Sequence, residues 1–511
     1  MTTSTAFAAK STCRVTTTLL FLTAILVGQT AVAVAAAPRP NIIVVLADDM
    51  GFSELGCYGG EIRTPTIDRL AAEGVRFSQF YNCSVCGPSR AALMTGCQPW
   101  RVGQPPGANI FAPLATNCAT LMELLAANGY ETCAVGRLDM VTAENWHDPS
   151  AVARCATRFL GSASGGPGDY FREAAKTPWF EDGRRFKRPE AAYSTDLITD
   201  FVARFIEGSA KSETPFFAYV SHYAPHWPLQ AKEKDVAACL DLYRGRGVPA
   251  LMEARLERLI DSGLLSRSTR LSPSLLRPAD DVASRDHSLE RMAINAAMVE
   301  SIDRSLARIL AALEKAGKRE NTLILVLSDN GASSQIAFER PVPPGARPGG
   351  PGTFLNHGAA LASLANTPFR GHKTEFLEGG IASPLIVWWP AGLRHGGRIS
   401  HRISHIADIM PTCLELAGVP HPEQFRGRRL IRLDGESMVP ILGDEAAGDD
   451  ADRVVAFAGG LRQGRFKLIE TAGAPPELYD MAEDRGETTN LAEQFPDRVQ
   501  AMQRLLKQLG P

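Results

Sequence analysis

The chain is 511 residues long and carries 54 Lys and Arg against 56 Asp and Glu, a formal net charge of −2. So even a balance leaves no long-range field to attract nucleic acid or an anionic membrane surface, and no nucleic-acid partner is expected. With 45% hydrophobic and 22% charged residues, the composition is that of a folded globular protein and excludes a disordered chain.

In chain order, Lys10 and Arg14 precede an apolar stretch, Leu19–Val27, that is too short to cross a bilayer. Small residues from Ala31 to Ala37 then offer cleavage sites ahead of Pro38. Residues 1–37 read as a secretory signal peptide, so the protein is expected to be exported, periplasmic or secreted, with no membrane span once the signal is removed. Of the ten cysteines, Cys13 leaves with this segment. The odd number remaining means that at least one stands outside any intramolecular disulfide. Cys83 and Cys86 form a lone CxxC, with no second pair at zinc-ligand spacing, and alone it reads as a redox pair or a disulfide.

Asn41–Leu46 is a nearly continuous apolar run, as in a strand buried on both faces of a parallel sheet. Similar runs recur at Thr132–Val135, Phe216–Val220, Leu323–Leu327 and Leu385–Trp388. Between them lie helical patterns, one over Ile67–Glu73 and another over about 292–316, where Ile294, Met298, Ile302, Leu306, Ile309 and Leu313 recur at spacings of three and four. The alternation predicts an α/β fold, a large mainly parallel sheet sandwiched by helices. Residues 140–190 lack periodicity and are expected to form surface loops, and the Pro- and Gly-rich stretch Pro341–Gly352 is expected to be a loop. After about Pro420, short segments at Val454–Ala458 and Arg465–Ile469 and a helical pattern near Arg498–Gln508 suggest a small antiparallel α+β subdomain. The division is 38–425 for the main domain and 426–511 for the subdomain.

Ligands of α/β sheets bind beyond the carboxyl ends of strands. The first run ends in Asp48-Asp49, the fourth in Asp329-Asn330-Gly331, and the third in Ser221-His222-Tyr223-Ala224-Pro225-His226. Alone, an Asp-Asp pair reads as a helix cap and Asp-Asn-Gly as a turn. Two such pairs at two strand ends form an all-oxygen set that suits Ca²⁺ or Mg²⁺ rather than zinc. A second element is Cys86-Gly87-Pro88-Ser89-Arg90, followed by Ala91-Ala92-Leu93-Met94-Thr95-Gly96. Pro88 suits a helix's first turn, so Cys86 would sit where backbone N–H groups favour an anion, with the guanidinium of Arg90 one turn along.

This Cys-x-Pro-Ser-Arg run with its Leu-Met-Thr-Gly tail resembles the signature of the type I, formylglycine-dependent sulfatases, arylsulfatase-like members of the alkaline phosphatase superfamily. The resemblance extends to Thr64–Gly74, Glu378-Gly379-Gly380-Ile381, Asp408–Thr412 and Glu477-Leu478-Tyr479-Asp480. It implies a sulfuric ester hydrolase acting on a sulfated small molecule or glycan, with Cys86 converted to formylglycine by a formylglycine-generating enzyme. It further implies that Asp48, Asp49, Asp329, Asn330 and the side chain derived from Cys86 bind one Ca²⁺. Arg90 would stabilise the formylglycine, His226 would protonate the leaving oxygen and Lys373 would bind the sulfate. A hydrated formylglycine offers two hydroxyls on one carbon, one to attack sulfur and one whose proton loss expels sulfate.

The chain departs from the family's Gly-Lys-Trp-His, which follows a Gly-Tyr-x-Thr run. Here Gly129-Tyr130-Glu131-Thr132 is followed by Gly136-Arg137-Leu138-Asp139. Arg137 can still grip a sulfate. Asp139 would either repel it or serve as the base that releases it, and Trp146-His147 downstream offers another imidazole. The departure leaves an alternative, a non-catalytic relative that binds sulfate or a sulfated glycan. A phosphatase or phosphodiesterase of the same superfamily fits less well, for those enzymes use two zinc ions and more His and Asp ligands.

Overall fold

The computed structural model describes residues 38–105, 112–139, 156–162, 166, 168–173, 177–275, 287–336, 339–443 and 450–510. The expected signal peptide and Trp146-His147 lie outside the described residues.

Among the described residues, ten strands form the main sheet: β1 (Asn41–Asp48), β2 (Val75–Phe77), β3 (Glu131–Arg137), β4 (Arg158–Ser162), β5 (Trp179–Glu181), β6 (Arg184–Phe186), β7 (Phe216–Pro225), β8 (Thr322–Ser328), β9 (Leu385–Trp388) and β10 (Arg398–Ser400). Their order across the sheet is β10-β2-β9-β8-β1-β7-β3-β4-β5-β6. The centre is parallel: β1 pairs with β7 and β8, and β3 pairs with β7 and β4. The flanks are mixed, for β9 runs antiparallel to both β8 and β2, and β5 runs antiparallel to β4 and β6. Three of these strands, β4 to β6, lie within the stretch expected to be loops. They are three to five residues long, too short to show a period of two above their charged neighbours.

All eight residues of β1 are buried, and alternate side chains face opposite layers. Ile43 and Val45 point into a core shared with α1 (Pro65–Glu73), α3 (Ser194–Gly208) and α4 (Ser288–Lys315). Ile42, Val44 and Leu46 point into the other, shared with α2 (Cys86–Thr95). Burying each such side chain stabilises the fold by about 1.5–3 kcal/mol, so a run apolar at every position commits a strand to the centre of a two-faced sandwich.

The C-terminal subdomain is an antiparallel four-stranded sheet, β11 (Val454–Phe457), β12 (Gly460–Gln463), β13 (Phe466–Ile469) and β14 (Glu477–Asp480), in that order. The helix α5 (Pro496–Leu509) lays Val499, Met502 and Leu506 on Leu461, Leu468 and Leu478. A buried ion network ties this sheet to the main body. Lys467 on β13 donates to Glu378 Oε1 at 3.0 Å and Glu487 Oε1 at 2.7 Å. Arg485 donates to Glu378 Oε2 at 2.6 Å and to the Ser78 carbonyl at 2.6 Å.

Candidate active site

Four neighbouring strands, β8, β1, β7 and β3, run in the same direction, so their carboxyl ends share one edge of the sheet. β1 ends in Asp48, β8 is followed by Asp329, β7 by His226, and β3 ends in Arg137, two residues before Asp139. The chain turns sharply at two of these ends: Asp49 has φ 66° and Asp139 φ 56°. Two close backbone approaches require glycine. A Cβ on Gly136 would lie 1.7 Å from the Ser221 carbonyl oxygen, and one on Gly331 would lie 1.8 Å from that of Gly379. α2 begins at Cys86 itself, with no acidic residue in its first turn. The backbone N–H of Cys83 donates to Ser89 Oγ at 3.0 Å, tying the entering loop to the helix.

The structure brings all of the sequence-predicted residues to this edge. Arg90 donates to Asp329 Oδ2 from Nε at 3.0 Å and from Nη2 at 2.6 Å, and to the Arg137 carbonyl at 3.0 Å. Nη1, the nitrogen that serves the Arg137 carbonyl, also contacts Ser221 Oγ and, at 3.4 Å, Tyr219 Oη. Arg137 spreads its fork over three partners: Asp139 Oδ2 from Nε at 2.7 Å, Asp48 Oδ2 from Nη1 at 2.6 Å, and Cys86 Sγ from Nη2 at 2.8 Å. Lys373 donates to Asp49 Oδ1 at 2.6 Å, and the Asn330 amide donates to the same oxygen at 2.6 Å. His226 holds its Nδ1 2.6 Å from the Trp227 carbonyl, which makes Nδ1 the protonated nitrogen. Nε2 then points at Asp49 Oδ2, 3.8 Å away.

Two contacts were not foreseen in the sequence, Ser221 and Tyr219 on β7, which share Arg90 Nη1 with the Arg137 carbonyl. A polar side chain at the carboxyl end of an otherwise apolar strand was the available signal for Ser221. His222, in the same run, is buried with neither ring nitrogen hydrogen-bonded, and burial pushes its imidazole down to about 3. It is a neutral ring of the core.

Four carboxylates, from Asp48, Asp49, Asp139 and Asp329, face three fixed cations, Arg90, Arg137 and Lys373, and all seven residues are at most 6% exposed. Burial pushes the Asp48 carboxyl up, but Arg137, His226, Arg90 and Lys373 outweigh it and hold the group below the usual range. Asp329 goes the other way: burial and the charge of Asp48 push it up to about 7. Such crowding of like charges favours a further cation. Three oxygens are aimed into the cluster without a hydrogen-bond partner: Asp48 Oδ1, Asp49 Oδ2 and Asn330 Oδ1. Ligand atoms of Asp48, Asp49 and His226 lie within 4.8 Å of one another. Orphaned buried oxygens of this kind fit a hard divalent ion, which would also reverse the excess negative charge. Of the expected ligand set, Asp329 has both oxygens engaged, Oδ1 by the Asp49 N–H at 3.2 Å and Oδ2 by Arg90, while the Cys86 sulfur faces Arg137.

The sulfatase family profile matches residues 40–419, and that of the C-terminal domain of N-sulphoglucosamine sulphohydrolase matches residues 372–510. An uncharacterised sulfatase of Schizosaccharomyces pombe is 30% identical, covering 90% of this chain and 91% of its own. An arylsulfatase of Klebsiella aerogenes is 28% identical over 79% of this chain and 92% of its own. Among solved structures, Ps i-CgsB in complex with k-i-k-neocarrahexaose superposes with a TM-score of 0.67 at 25% identity, covering 92% of both chains. With its signature cysteine at the start of α2 and its acidic strand ends on one edge, the chain belongs to the sulfatase family, the sulfuric ester hydrolases of the alkaline phosphatase superfamily.

Proposed function

We propose that this sulfatase hydrolyses an aryl or carbohydrate sulfate through formylglycine made from Cys86 by a formylglycine-generating enzyme, with one Ca²⁺ beside it. The observation that carries this reading is the set of orphaned oxygens of Asp48, Asp49 and Asn330 beside Cys86 and its arginine. Asp48, Asp49, Asn330 and Asp329 would hold the ion, which supplies positive charge to the sulfate oxygens. Formylglycine supplies a hydrated aldehyde, a nucleophile that can be regenerated. An unmodified thiol suits neither step, because burial pushes Cys86 up to about 11 and leaves it protonated near neutral pH.

The chain's own groups do the rest by placement. Arg90, one turn along α2 from residue 86, is locked by Asp329 as a fixed positive plane. Arg137 aims Nη2 at the residue 86 side chain, where an oxygen would accept its hydrogen bond. Lys373 is held at the cluster by its hydrogen bond to Asp49 Oδ1. His226 keeps a proton on Nδ1, and with Nε2 protonated as well it would donate to the leaving oxygen. Asp139 is the partner of Arg137 rather than a free base: it offsets the guanidinium charge and orients it. The pair therefore supplies a directed donor where the family's Lys and His stand, and this weighs against the non-catalytic alternative.

Export under the 1–37 signal, and a division into a catalytic domain at 38–425 and a subdomain at 426–511, complete the proposal. The test is the mass of the tryptic peptide Phe77–Arg90 from protein exported by its native host. A formylglycine mass at position 86 supports the reading. An unmodified cysteine, in a host that converts another sulfatase, overturns it.

A further inference from the structure

Lys373 stands on a loop, residues 370–377, that belongs to no helix or strand. Side-chain packing does little to hold the tip of this loop, for Thr374 and Glu375 are exposed and two cavities lie against it. One cavity, of about 670 Å³, is lined by Thr374, Glu375, Phe376 and Leu377 among others. The second, of about 630 Å³, shares Glu375 and Leu377 and adds Gly371 and His372.

Hydrogen bonds hold the loop instead, and they reach both segments that carry the site. On the β8 side, the Lys373 N–H donates to the carbonyl of Ala332, two residues past Asn330, at 3.1 Å. Asn366 joins the same two segments: its Oδ1 accepts the Ala332 N–H at 2.8 Å and its Nδ2 donates to the Gly371 carbonyl at 3.1 Å. On the α2 side, the Thr374 N–H donates to the Ser84 carbonyl at 2.9 Å, and Ser84 Oγ donates to the Glu375 carbonyl at 2.6 Å. Ser84 is fully buried and stands two residues before Cys86.

Both partners of this clasp are bent against their backbone preference. Ser84 has φ 62° and Thr374 φ 79°, in the left-handed region, and Thr374 is branched at Cβ. Residues stay in that region only where their surroundings over-determine them. Here each holds the other, and Asn82 braces Ser84, its Oδ1 accepting the Ser84 N–H at 2.9 Å. Asn82 is itself tied to the far end of the Lys373 segment, for its N–H donates to the Ile381 carbonyl at 2.8 Å.

We infer that Ser84 is a positioning residue, whose hydroxyl fixes the Lys373 ammonium relative to the side chain at position 86 so that both meet one sulfate. The inference rests on the sulfatase reading above and extends it to a residue outside the charged cluster.

The experiment is a double-mutant cycle. Ser84→Ala and Ser84→Gly are made in the wild type and in Lys373→Ala, and every protein is corrected for its formylglycine content by peptide mass. Ser84→Gly suits a positive φ and removes only the hydroxyl, so it separates the hydrogen bond from backbone strain. With Lys373 present, each substitution is expected to lower kcat/KM for the best of a panel of sulfate esters about tenfold, with melting curves as a folding control. In Lys373→Ala the further loss should be no more than about twofold, because a residue that acts through Lys373 has nothing left to place. The same pattern is expected in the Kd of inorganic sulfate, which needs no turnover. Equal losses with and without Lys373 overturn the inference and make Ser84 a support of the fold or of residue 86 alone. No loss in Ser84→Gly also overturns it. A formylglycine-bearing wild type that hydrolyses no sulfate ester removes the sulfatase reading, and the sulfate-binding cycle then decides the role of Ser84 by itself.

Discussion

Two buried clusters of charge in this molecule use the same side chains to opposite ends. In the C-terminal network, Glu378 and Glu487 face Lys467 and Arg485, and each carboxylate oxygen has a partner. Glu487 Oε2, for instance, accepts the Glu378 N–H at 2.9 Å. In the cluster at the strand ends the carboxylates outnumber the fixed cations, and oxygens of Asp48, Asp49 and Asn330 are left without hydrogen-bond partners. A satisfied network holds two parts of a fold together, whereas bare oxygens among crowded carboxylates leave room for the cation proposed above. The difference separates stability from activity, and variants in each cluster should show it.

The largest effect is expected from Asp49→Asn. It removes a carboxylate that would face the metal and holds Lys373, and kcat/KM should fall about 10³-fold or more. Melting of the apo protein should hold or rise, because a crowded charge is gone, and the stabilisation that added Ca²⁺ gives the wild type should shrink. If Ca²⁺ raises the melting temperature of both proteins equally, the oxygen cluster is not the metal site.

Glu378→Gln should do the reverse. Leaving Lys467 and Arg485 with a single anion should cost about 3–5 kcal/mol of stability, with kcat of the folded enzyme nearly unchanged. This loss has a pH window. Burial alone would raise the Glu378 carboxyl, but Lys467 and Arg485 outweigh it and take it from 4.5 to about 2. A depressed folded-state value stabilises the fold above the unfolded value, and that stability is lost as pH falls through the folded one. The gap between wild type and Glu378→Gln in denaturant melts should therefore be full near neutral pH and close as pH drops from about 4.5 towards about 2. A gap that is constant across that range would mean Glu378 acts by packing alone.

The smallest of the three is Asp139→Asn. It removes the charge that aims Arg137 but leaves a polar side chain of the same size, so kcat/KM should fall about tenfold with little change in stability. A loss as large as that of Asp49→Asn would return Asp139 to the role of base.

Much of this was legible in the sequence. Each of the five apolar runs is a strand, because continuous burial demands apolar residues at every position. The polar residues that follow such runs come together in the structure, since parallel strands must deliver their carboxyl ends to one edge. The signature around Cys86 pointed to the family, and the relatives bear that out. Strands β4 to β6 were not legible, being short edge segments whose pairing comes from neighbours far along the chain. The role of Asp139 was not legible either. By spacing alone it was a misplaced anion, and only the fold shows that its oxygen meets Arg137 Nε rather than the open site. Local chemistry and periodicity determine which residues can build strands, helices and ligands. Which oxygen is satisfied and which is left bare depends on distances between segments far apart along the chain, and only tertiary packing decides those.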